Sequence, residues 1–416
     1  MARVILQGVE LNAADEFDDE RKLKRTRYRN LIAFWILGMC NNYGYVVMLS
    51  AAHDILNSRF GNSNTQVNVT DINGRSCNSI STGAILLADI LPCLIIKLTA
   101  PFLPFFVHVR LATCVLFSAA GFVIVSVSVT KWLAILGVVV TSVSSGLGEV
   151  TLLSYSYQYP KEVISTWSSG TGGAGIIGAV SYASLSIWLS TSETLLLMLI
   201  VPLIQGITFW FILVHPSETN IPVAKDGIDS QEHIIEVPRK SFKDKIYMLP
   251  GLLKYMLPLG LVYFFEYFIN NGLYELIQYD NIGLTHQEQY RWFQVDYQIG
   301  VFLSRSSVNL VTINKIWIMA VLQYLNVIIL FFEAIYYYIP NIWIVFTIIL
   351  WEGLLGGGAY VNTFYRMSTE IPRAERKISL GIVTMADSIG IALAGWLAIP
   401  VHNAICGLSK PVRLGS

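Results

Sequence analysis

Long apolar stretches, separated by short polar connections, dominate the hydrophobic pattern of this chain. A scan for runs of roughly 20 apolar residues, the length that crosses a bilayer as a helix, predicts eleven spans. The eighth is the most polar, because hydrogen-bonding side chains interrupt YRWFQVDYQIGVFLSRSS. The pattern therefore predicts an all-α integral membrane protein, with spans near 31–51, 79–101, 109–129, 131–157, 164–189, 194–215, 251–278, 291–311, 314–335, 341–365 and 379–402.

Composition agrees with this pattern and excludes several functions. The 416 residues are 54% hydrophobic and 13% charged, whereas soluble domains are about 25% charged. The basic residues are not pooled on a soluble domain, so nucleic-acid binding is not expected. The chain lacks Gly-x-Ser-x-Gly, His-Glu-x-x-His and P-loop motifs, and its cysteines and histidines lack metal-ligand spacing. We therefore predict no catalytic residues, no metal and no cofactor.

A hydrophilic stretch divides the spans into six and five. The first span, with CNNYGYVVMLSAAHDIL, is weakly similar to the seventh, with INNGLYELIQYDNI. The fourth and tenth spans are both Gly-rich, then polar and aromatic, and both end at a proline followed by charges. Parallel repeats joined by a cytoplasmic loop are the plan of major-facilitator transporters. The predicted parts are a tail (1–30), a six-helix bundle (31–215), a central loop (216–250), a second bundle (251–403) and a C-terminal tail (404–416).

The distribution of lysine and arginine predicts the orientation. With the N-terminus in the cytoplasm, 22 of the 28 basic residues fall on the cytoplasmic side and 6 on the other. Positive charge is retained on the cytoplasmic side of membrane proteins, so the tail and the 216–250 loop are expected there. Asn68 begins an Asn-Val-Thr sequon in the first loop on the opposite side, where glycosylation is expected.

The segment SSGTGGAGIIGA matches the Gly-x-Gly-x-x-Gly pattern of dinucleotide-binding loops, with Glu193 at a plausible distance for the ribose contact. No strand pattern precedes it, and the glycines begin a run with the length and composition of a membrane helix. Small residues recur there every four positions, which lets helix backbones approach closely in lipid. We interpret the following positions as helix-packing residues: Gly170, Gly172, Gly173, Ala174, Gly175 and Gly178.

Several of these stretches resemble the battenin family, the lysosomal membrane proteins of juvenile Batten disease (neuronal ceroid lipofuscinosis). The resemblance rests on GMCNNYGYVVMLSAAHDIL, LLADILP, SSGLGEVT, WSSGTGGAG, EYFINNGLYEL, QYRW, SRSS and EGLLGGGAYVNTF, and it covers about 35–400. It implies a major-facilitator-like protein of the late endosomal and lysosomal membrane. It also implies roles in lysosomal pH homeostasis, vacuolar transport, basic amino-acid handling and the clearance of glycerophosphodiesters.

The chain departs from that family at two sorting signals. The C-terminal prenylation box corresponds to Cys406-Gly-Leu-Ser409, but seven residues follow it, so the cysteine is not in the position that prenylation requires. The acidic dileucine signal corresponds to DSQEHIIEV, in which isoleucines occupy imperfectly spaced positions.

Ionisable residues lie well inside the predicted spans. Each costs roughly 2.5–3.5 kcal/mol at a helix centre, so six would cost about 15–20 kcal/mol if they faced lipid. They are therefore expected either to form ion pairs between helices or to line a translocation path, and we favour the path. The set is Asp89, Glu149, Glu266, Arg305, Glu352 and Asp387.

Arg305 is the best candidate anion clamp, because a guanidinium matches the geometry of phosphate and carboxylate. Lys97 occupies the corresponding late position of the second span, but we expect it to reach the membrane interface instead. Paired amides in the first and seventh spans, and one in the tenth, suit a hydroxyl-rich or phosphate-bearing substrate, although hydrogen bonds between helices are an equal alternative. These cavity amides are Asn41, Asn42, Asn270, Asn271 and Asn362.

Burial disfavours the charged form of a carboxylate, so Glu266 is expected to sense protons, as an alternative to serving only as the ion-pair partner of a cation such as Arg305. Asp89 and Asp387 are the other candidates for proton coupling. The leading hypothesis is a lysosomal transporter of a small polar or anionic metabolite, in contact with membrane lipids. The alternative is a scaffold that regulates acidification and binds cytoplasmic trafficking proteins.

Overall fold

The computed structural model describes residues 20–48, 75, 82–216, 242–280 and 282–413, and these form an all-helical bundle. Eight of the helices are long and apolar enough to cross a membrane. The long helices lie at the eleven predicted positions, so the predicted fold class is confirmed. The central stretch 217–241, the sequon at Asn68 and the tail before residue 20 lie outside the described residues.

The described part of the first half contains seven helices, which lie at the six span positions predicted there. The first helix begins well before the predicted span, and the sixth span is broken into α6, α7 and a π-helical turn at 208–212. The helices are α1 (Glu20–Met48), α2 (Thr82–Thr99), α3 (Val107–Ser126), α4 (Lys131–Tyr155), α5 (Glu162–Trp188), α6 (Thr191–Leu197) and α7 (Ile200–Ile207).

The helices described in the second half lie at the five remaining predicted span positions. The last of them changes helix at Thr384, where α13 ends and α14 begins. The tenth span, α12, is longer than predicted and ends at Glu370. The helices are α8 (Phe242–Tyr247), α9 (Leu249–Gly272), α10 (His286–Ser306), α11 (Ile316–Tyr336), α12 (Ile342–Glu370), α13 (Arg373–Val383) and α14 (Met385–Cys406).

The nucleotide-like glycine pattern lies inside the long helix α5. Gly170 and Gly175 are both within α5, with helix on either side of them. Glu193, the acid that a ribose contact would need, instead forms a capping box with Ser190, whose backbone N–H and hydroxyl both donate to its carboxylate at 2.9 and 2.8 Å. Such a box satisfies the free N–H groups at a helix start, so each part of the pattern has a local structural role.

Glycines on two faces of α5 allow neighbouring helices to approach it closely. A Cβ atom on Gly170 would lie 2.1 Å from the carbonyl oxygen of Trp35 on α1. On the other face, a Cβ on Gly175 would lie 2.0 Å from the side-chain oxygen of Gln298 on α10. The backbone oxygen of Trp35 leaves no room for a side chain at position 170, and at position 175 the side chain of Gln298 would have to move, so α5 packs closely against both halves of the molecule.

The two halves meet along α2 with α14 and along α5 with α10. If the five spans of the second half repeat the first five, the second span corresponds to the eighth (α10), and the fifth to the eleventh (α14). Exchanging the two halves then converts the contact between α2 and α14 into the contact between α10 and α5. One hydrophobic cluster contains residues of both halves, including Phe34, Trp167, Leu259 and Phe364. This arrangement is that of parallel repeats packed around a central junction.

The C-terminal segment lies at the end of the bundle opposite the start of α1. Arg75, from the connection between the first two spans, donates to the carbonyl oxygens of Ala334 at 2.7 Å and Ser409 at 3.4 Å. At the other end, Arg27 of α1 pairs with Glu162 at the start of α5, at 3.2 Å.

Candidate functional site

Lys97 lies at the junction between the halves, held by two carboxylates. Its Nζ is 2.7 Å from Oε2 of Glu149 on α4 and 2.9 Å from Oδ1 of Asp387 on α14. All three side chains are buried, with Lys97 only 2% exposed. The expectation that Lys97 reaches the membrane interface is therefore wrong. The reason is tertiary, because two carboxylates meet its ammonium inside the bundle and replace the water it would seek at the interface.

Arg305 on α10 is the second buried cation of the junction. One guanidinium nitrogen donates to the hydroxyl of Thr171 on α5 at 2.6 Å, and another to the hydroxyl of Tyr263 on α9 at 2.8 Å. The guanidinium also lies over the ring of Tyr360 on α12, with Cζ 4.3 Å from the ring centroid. Its Nε has no hydrogen-bond partner, and among the described residues no carboxylate oxygen lies within 4 Å of its nitrogens.

The two cations are related by the repeat of the halves. Lys97 on the second span contacts the fourth and eleventh spans, and Arg305 on the eighth contacts the tenth and fifth. Their partners differ in charge, because carboxylates neutralise Lys97 whereas hydroxyls and an aromatic face surround Arg305. Tyr360 joins the two sites, since its hydroxyl donates to Glu149 at 2.6 Å. The junction is thus one connected network of two cations and two carboxylates, in which both carboxylates lie at the Lys97 end.

Glu266 and Glu352 are buried carboxyl groups of the second half, each with a single tyrosine donor. The hydroxyl of Tyr297 donates to Oε1 of Glu266, and the hydroxyl of Tyr274 donates to Oε2 of Glu352 at 2.6 Å. The second oxygen of each group accepts no hydrogen bond from the residues that the structure describes. Glu266 lies against Gly356, where a Cβ would come within 2.3 Å of both carboxylate oxygens. Arg305 acts on Glu266 electrostatically without contacting it.

Asp89 on α2 was predicted, with Glu266 and Asp387, to take part in proton coupling. Its side chain is fully buried, and neither carboxylate oxygen accepts a hydrogen bond in the described part of the chain. Only its backbone carbonyl is engaged, by the hydroxyl of Ser142 on α4.

The predicted cavity amides occupy different surroundings. Asn41 donates to the carbonyl of Ser145 at 3.1 Å and leaves its oxygen without a partner, and Asn270 is buried with its side-chain oxygen likewise unpartnered. Asn42 is half-buried, and Asn271 donates to the carbonyl of Tyr267 at 3.3 Å.

Asn362 differs from these four because both ends of its amide bind backbone groups. Its oxygen accepts from the N–H of Ile313 at 2.7 Å, and its nitrogen donates to the carbonyl of Gly358 at 2.8 Å. This amide fixes the connection that precedes α11.

Hydroxyl groups are the part of the network that the sequence did not single out. Four hydroxyl side chains contact the buried charges directly: Thr171, Tyr263, Tyr297 and Tyr360. The sequence alone does not distinguish the three tyrosines from the many that are expected at membrane interfaces. One signal was present: Tyr263 lies three residues before Glu266, on the same face of a helix. All four hydrogen bonds nevertheless join different helices, and none of them has a counterpart in local sequence.

Cys406 takes part in a disulfide. Its sulfur is therefore bonded to another sulfur in this structure and is not a free thiol that could carry a prenyl group. Across the described residues no group of three or more histidine, cysteine, aspartate or glutamate side chains could hold a metal ion.

Comparison with known proteins identifies the family. The model of the CLN3 protein family matches residues 32–235 and 221–408. Canine battenin is 44% identical over 411 residues, covering 93% of each chain. The chain belongs to the CLN3 family. Fungal relatives include the protein BTN1 of Yarrowia lipolytica, which is 36% identical over 90% of this chain and 94% of its own length.

Solved structures show the same fold at low sequence identity. The crystal structure of the human organic anion transporter MFSD10 matches with a TM-score of 0.59 and 11% identity, covering 92% of this chain and 96% of that one. A bacterial homologue of the human lysosomal transporter Spinster, captured inward-facing and occupied, matches with a TM-score of 0.51 and 16% identity, covering 88% and 79%. The fold is that of major-facilitator transporters.

Proposed function

We propose that this protein is a multi-pass transporter of the lysosomal and late endosomal membrane that exports small anionic metabolites, with glycerophosphodiesters as the substrate class. The observation that carries this proposal is Arg305, a buried cation that donates to two hydroxyl groups and lies over an aromatic ring, with no carboxylate of the described residues within 4 Å of its nitrogens. A phosphodiester carries one negative charge and accepts hydrogen bonds from a planar guanidinium fork. Its glycerol hydroxyls match tyrosine and threonine hydroxyls, and amides such as Asn270.

Access to Arg305 requires the halves to move apart. The side chain is only 9% exposed, and its partners come from both halves. The Lys97–Asp387 pair crosses the same junction. Breaking and remaking that pair as the halves rock would expose the site to one side at a time, which is alternating access. Effects on lysosomal pH, vacuolar transport and basic amino-acid handling would then follow from substrate and proton movement.

Proton coupling is assigned to the buried carboxyl groups. Glu266 has one unpartnered oxygen, and Asp89 has two. A carboxyl group that is buried in one conformation and hydrated in the other changes its proton affinity during the cycle. The lumen of a lysosome is acidic, so a proton taken up there and released to the cytosol would drive the conformational change in one direction.

The direct test is uptake of a labelled glycerophosphodiester by liposomes that contain the purified protein, with an imposed pH gradient. Saturable uptake that a gradient accelerates is expected. Empty liposomes and the Arg305→Gln variant provide the controls. A scaffold that acts on acidification through other proteins would give no uptake above empty liposomes, and that result would replace the transporter proposal.

The proposed orientation is tested separately in sealed organelles. A protease site inserted near Asp229 should be cut from the cytosol, and Asn68→Gln should remove one glycan and increase gel mobility. Protection of the inserted site would contradict the cytoplasmic location of the central loop.

A further inference from the structure

Tyr360 on α12 touches charged groups in both parts of the junction. Its ring lies beneath the guanidinium of Arg305, with the arginine Cζ 4.3 Å from the ring centroid, and its hydroxyl donates to Oε1 of Glu149 at 2.6 Å. The same hydroxyl accepts from the indole N–H of Trp167 at 3.3 Å. Tyr360 is only 2% exposed, so water does little to screen the charges that its ring and hydroxyl meet.

These contacts divide between the two halves of the molecule. Arg305 and Tyr360 belong to the second half, whereas Glu149 lies on α4 of the first half. The Tyr360–Glu149 bond therefore joins the halves, as the Lys97–Asp387 pair does beside it. Glu149 links the two contacts, because its other oxygen lies 2.7 Å from the ammonium of Lys97. Separation of the halves has to break both of them.

The strength of the Tyr360–Glu149 bond depends on the charge of Arg305. A cation over an aromatic ring is attracted by the negative charge of the ring face, and it draws electron density away from the hydroxyl group. The hydroxyl is then a stronger donor, and such polarisation counts most where the local dielectric is low. An anion that binds the guanidinium offsets this field and weakens the bond.

We propose that Tyr360 couples substrate binding to the separation of the halves, because an anion on Arg305 weakens the Tyr360–Glu149 bond and so favours the open conformation. A ligand shifts a conformational equilibrium only as far as it interacts differently with the two states, and this bond exists only while the halves are closed. Tyr360 needs no contact with the substrate, since its ring lies under the guanidinium that the substrate neutralises. The proposal rests on Arg305 as the anion-binding residue of the proposed transporter.

The end of the bundle that opens can be followed from the surface. Lys97 lies two residues before the end of α2, and the connection after α2 meets α13 of the second half, where Nζ of Lys377 is 4.0 Å from the ring centroid of Phe105. Leu103 and Ala374, one from each half, are exposed near this contact. Spin labels on cysteines introduced at these two positions report the spacing of the halves. The free cysteines of the described residues are buried, so they do not compete for the label.

The test measures this spacing in the purified full-length protein without substrate. Arg305→Gln removes the cation, and the ratio of open to closed molecules should rise up to about ten-fold, the equivalent of one hydrogen bond to a charged group. Arg305→Lys keeps the charge and should raise the ratio less. Tyr360→Phe should open the protein as well, and adding Arg305→Gln to it should have much less than its separate effect. Tyr365→Phe, the same change at a half-buried site on α12, is the control and should shift the ratio by less than about two-fold.

A second arm adds the glycerophosphodiester of the uptake test. Wild type should open in response, whereas Tyr360→Phe should not respond further. If wild type takes up the compound but its spacing does not change, the coupling is wrong and the transporter proposal stands. If there is no uptake, the transporter proposal fails, and the spacings without substrate still decide whether the cation acts through Tyr360.

Three further results would overturn the coupling. An unchanged ratio in Tyr360→Phe would show that its hydroxyl does not hold the halves together. Additive effects of Arg305→Gln and Tyr360→Phe would show that the cation acts through its bond to Thr171. Equal effects of Arg305→Lys and Arg305→Gln would show that the charge over the ring is not the cause. This last comparison applies even if the phenylalanine variant does not fold.

Discussion

The ammonium of Lys97 and the carboxylate of Asp387 lie 2.9 Å apart across the junction of the two halves, although 290 residues separate them in the chain. Glu149 approaches the same ammonium from within the first half. The network therefore holds one cation between two carboxylates, and one of these carboxylates belongs to the other half. A contact of this kind both stabilises the conformation seen here and has to break when the halves separate.

Replacing Lys97 by methionine should destabilise the protein markedly. The change leaves Glu149 and Asp387 buried without their cation, and removing one partner of a buried ion pair costs about 3–5 kcal/mol. Asp387→Asn should cost less, because Lys97 keeps Glu149. The measurement is the thermal unfolding midpoint in detergent, followed by a thiol-reactive dye. Equal midpoints for wild type and Lys97→Met would show that the contacts of Lys97 with Glu149 and Asp387 contribute nothing to stability.

Arg305→Lys should impair transport while the protein still reaches its membrane. Lysine keeps the charge but loses the planar fork, and a hydrogen bond to a charged group contributes about 1.5–3 kcal/mol. The apparent substrate affinity in liposomes should therefore fall about ten-fold or more. Arg291→Lys, an exposed change on the same helix, is the control and should behave as wild type. Full activity of the Arg305→Lys variant would exclude bidentate recognition.

Glu266→Gln should flatten the pH dependence of transport. Glutamine resembles the protonated carboxyl group in shape, and it can still accept from Tyr297. Uptake is measured from acidic to neutral pH on the side that represents the lumen, with the unfolding midpoint as a check on folding. Tyr297→Phe should keep a pH-dependent rate, because the carboxyl group remains. An unchanged profile for the glutamine variant, at normal maximal rate, would remove Glu266 from the mechanism.

Gly170→Ala should lower stability by about 1–3 kcal/mol, the usual cost of overpacking a close contact. The added methyl would meet the backbone oxygen of Trp35 at 2.1 Å, and a backbone atom cannot move aside as a side chain can. Gly251→Ala on α9 is the matched control, since nothing lies within 4 Å of its added methyl. We expect a lower unfolding midpoint for the first variant alone. Equal midpoints would show that α1 and α5 separate at little cost.

Arg413→Ala should loosen the C-terminal segment at the end of the bundle opposite the start of α1. The Arg413 guanidinium lies 2.5 Å from Oε1 of Glu333, and its Cζ is 3.5 Å from the ring centroid of Tyr279. Truncation leaves the fully buried Glu333 carboxylate without its cation. Lys410→Ala removes a more exposed pair with Asp280, worth at most about 1 kcal/mol. Faster carboxypeptidase digestion is expected for Arg413→Ala, and equal rates for the two variants would contradict the docking of this segment.

The sequence by itself determined the all-helical membrane fold class, the positions of the long helices and the family. A membrane helix satisfies its own backbone hydrogen bonds, so local composition is sufficient to locate it. The glycine pattern on α5 could be interpreted in the same local way. Arg305 and Glu266 stood out because a charge inside an apolar run is visible without any knowledge of packing.

Tertiary structure alone decided which of these groups meet. Lys97 looked like an interfacial lysine because its neighbours in the chain include no carboxylate within a turn, and its partners Glu149 and Asp387 come from two other helices. Tyr263 and Tyr360 looked like two of many membrane tyrosines until the packing of α9, α10 and α12 brought them to Arg305. The free energy of a buried charge depends on atoms within a few ångströms, and in a helical bundle those atoms belong mostly to other helices.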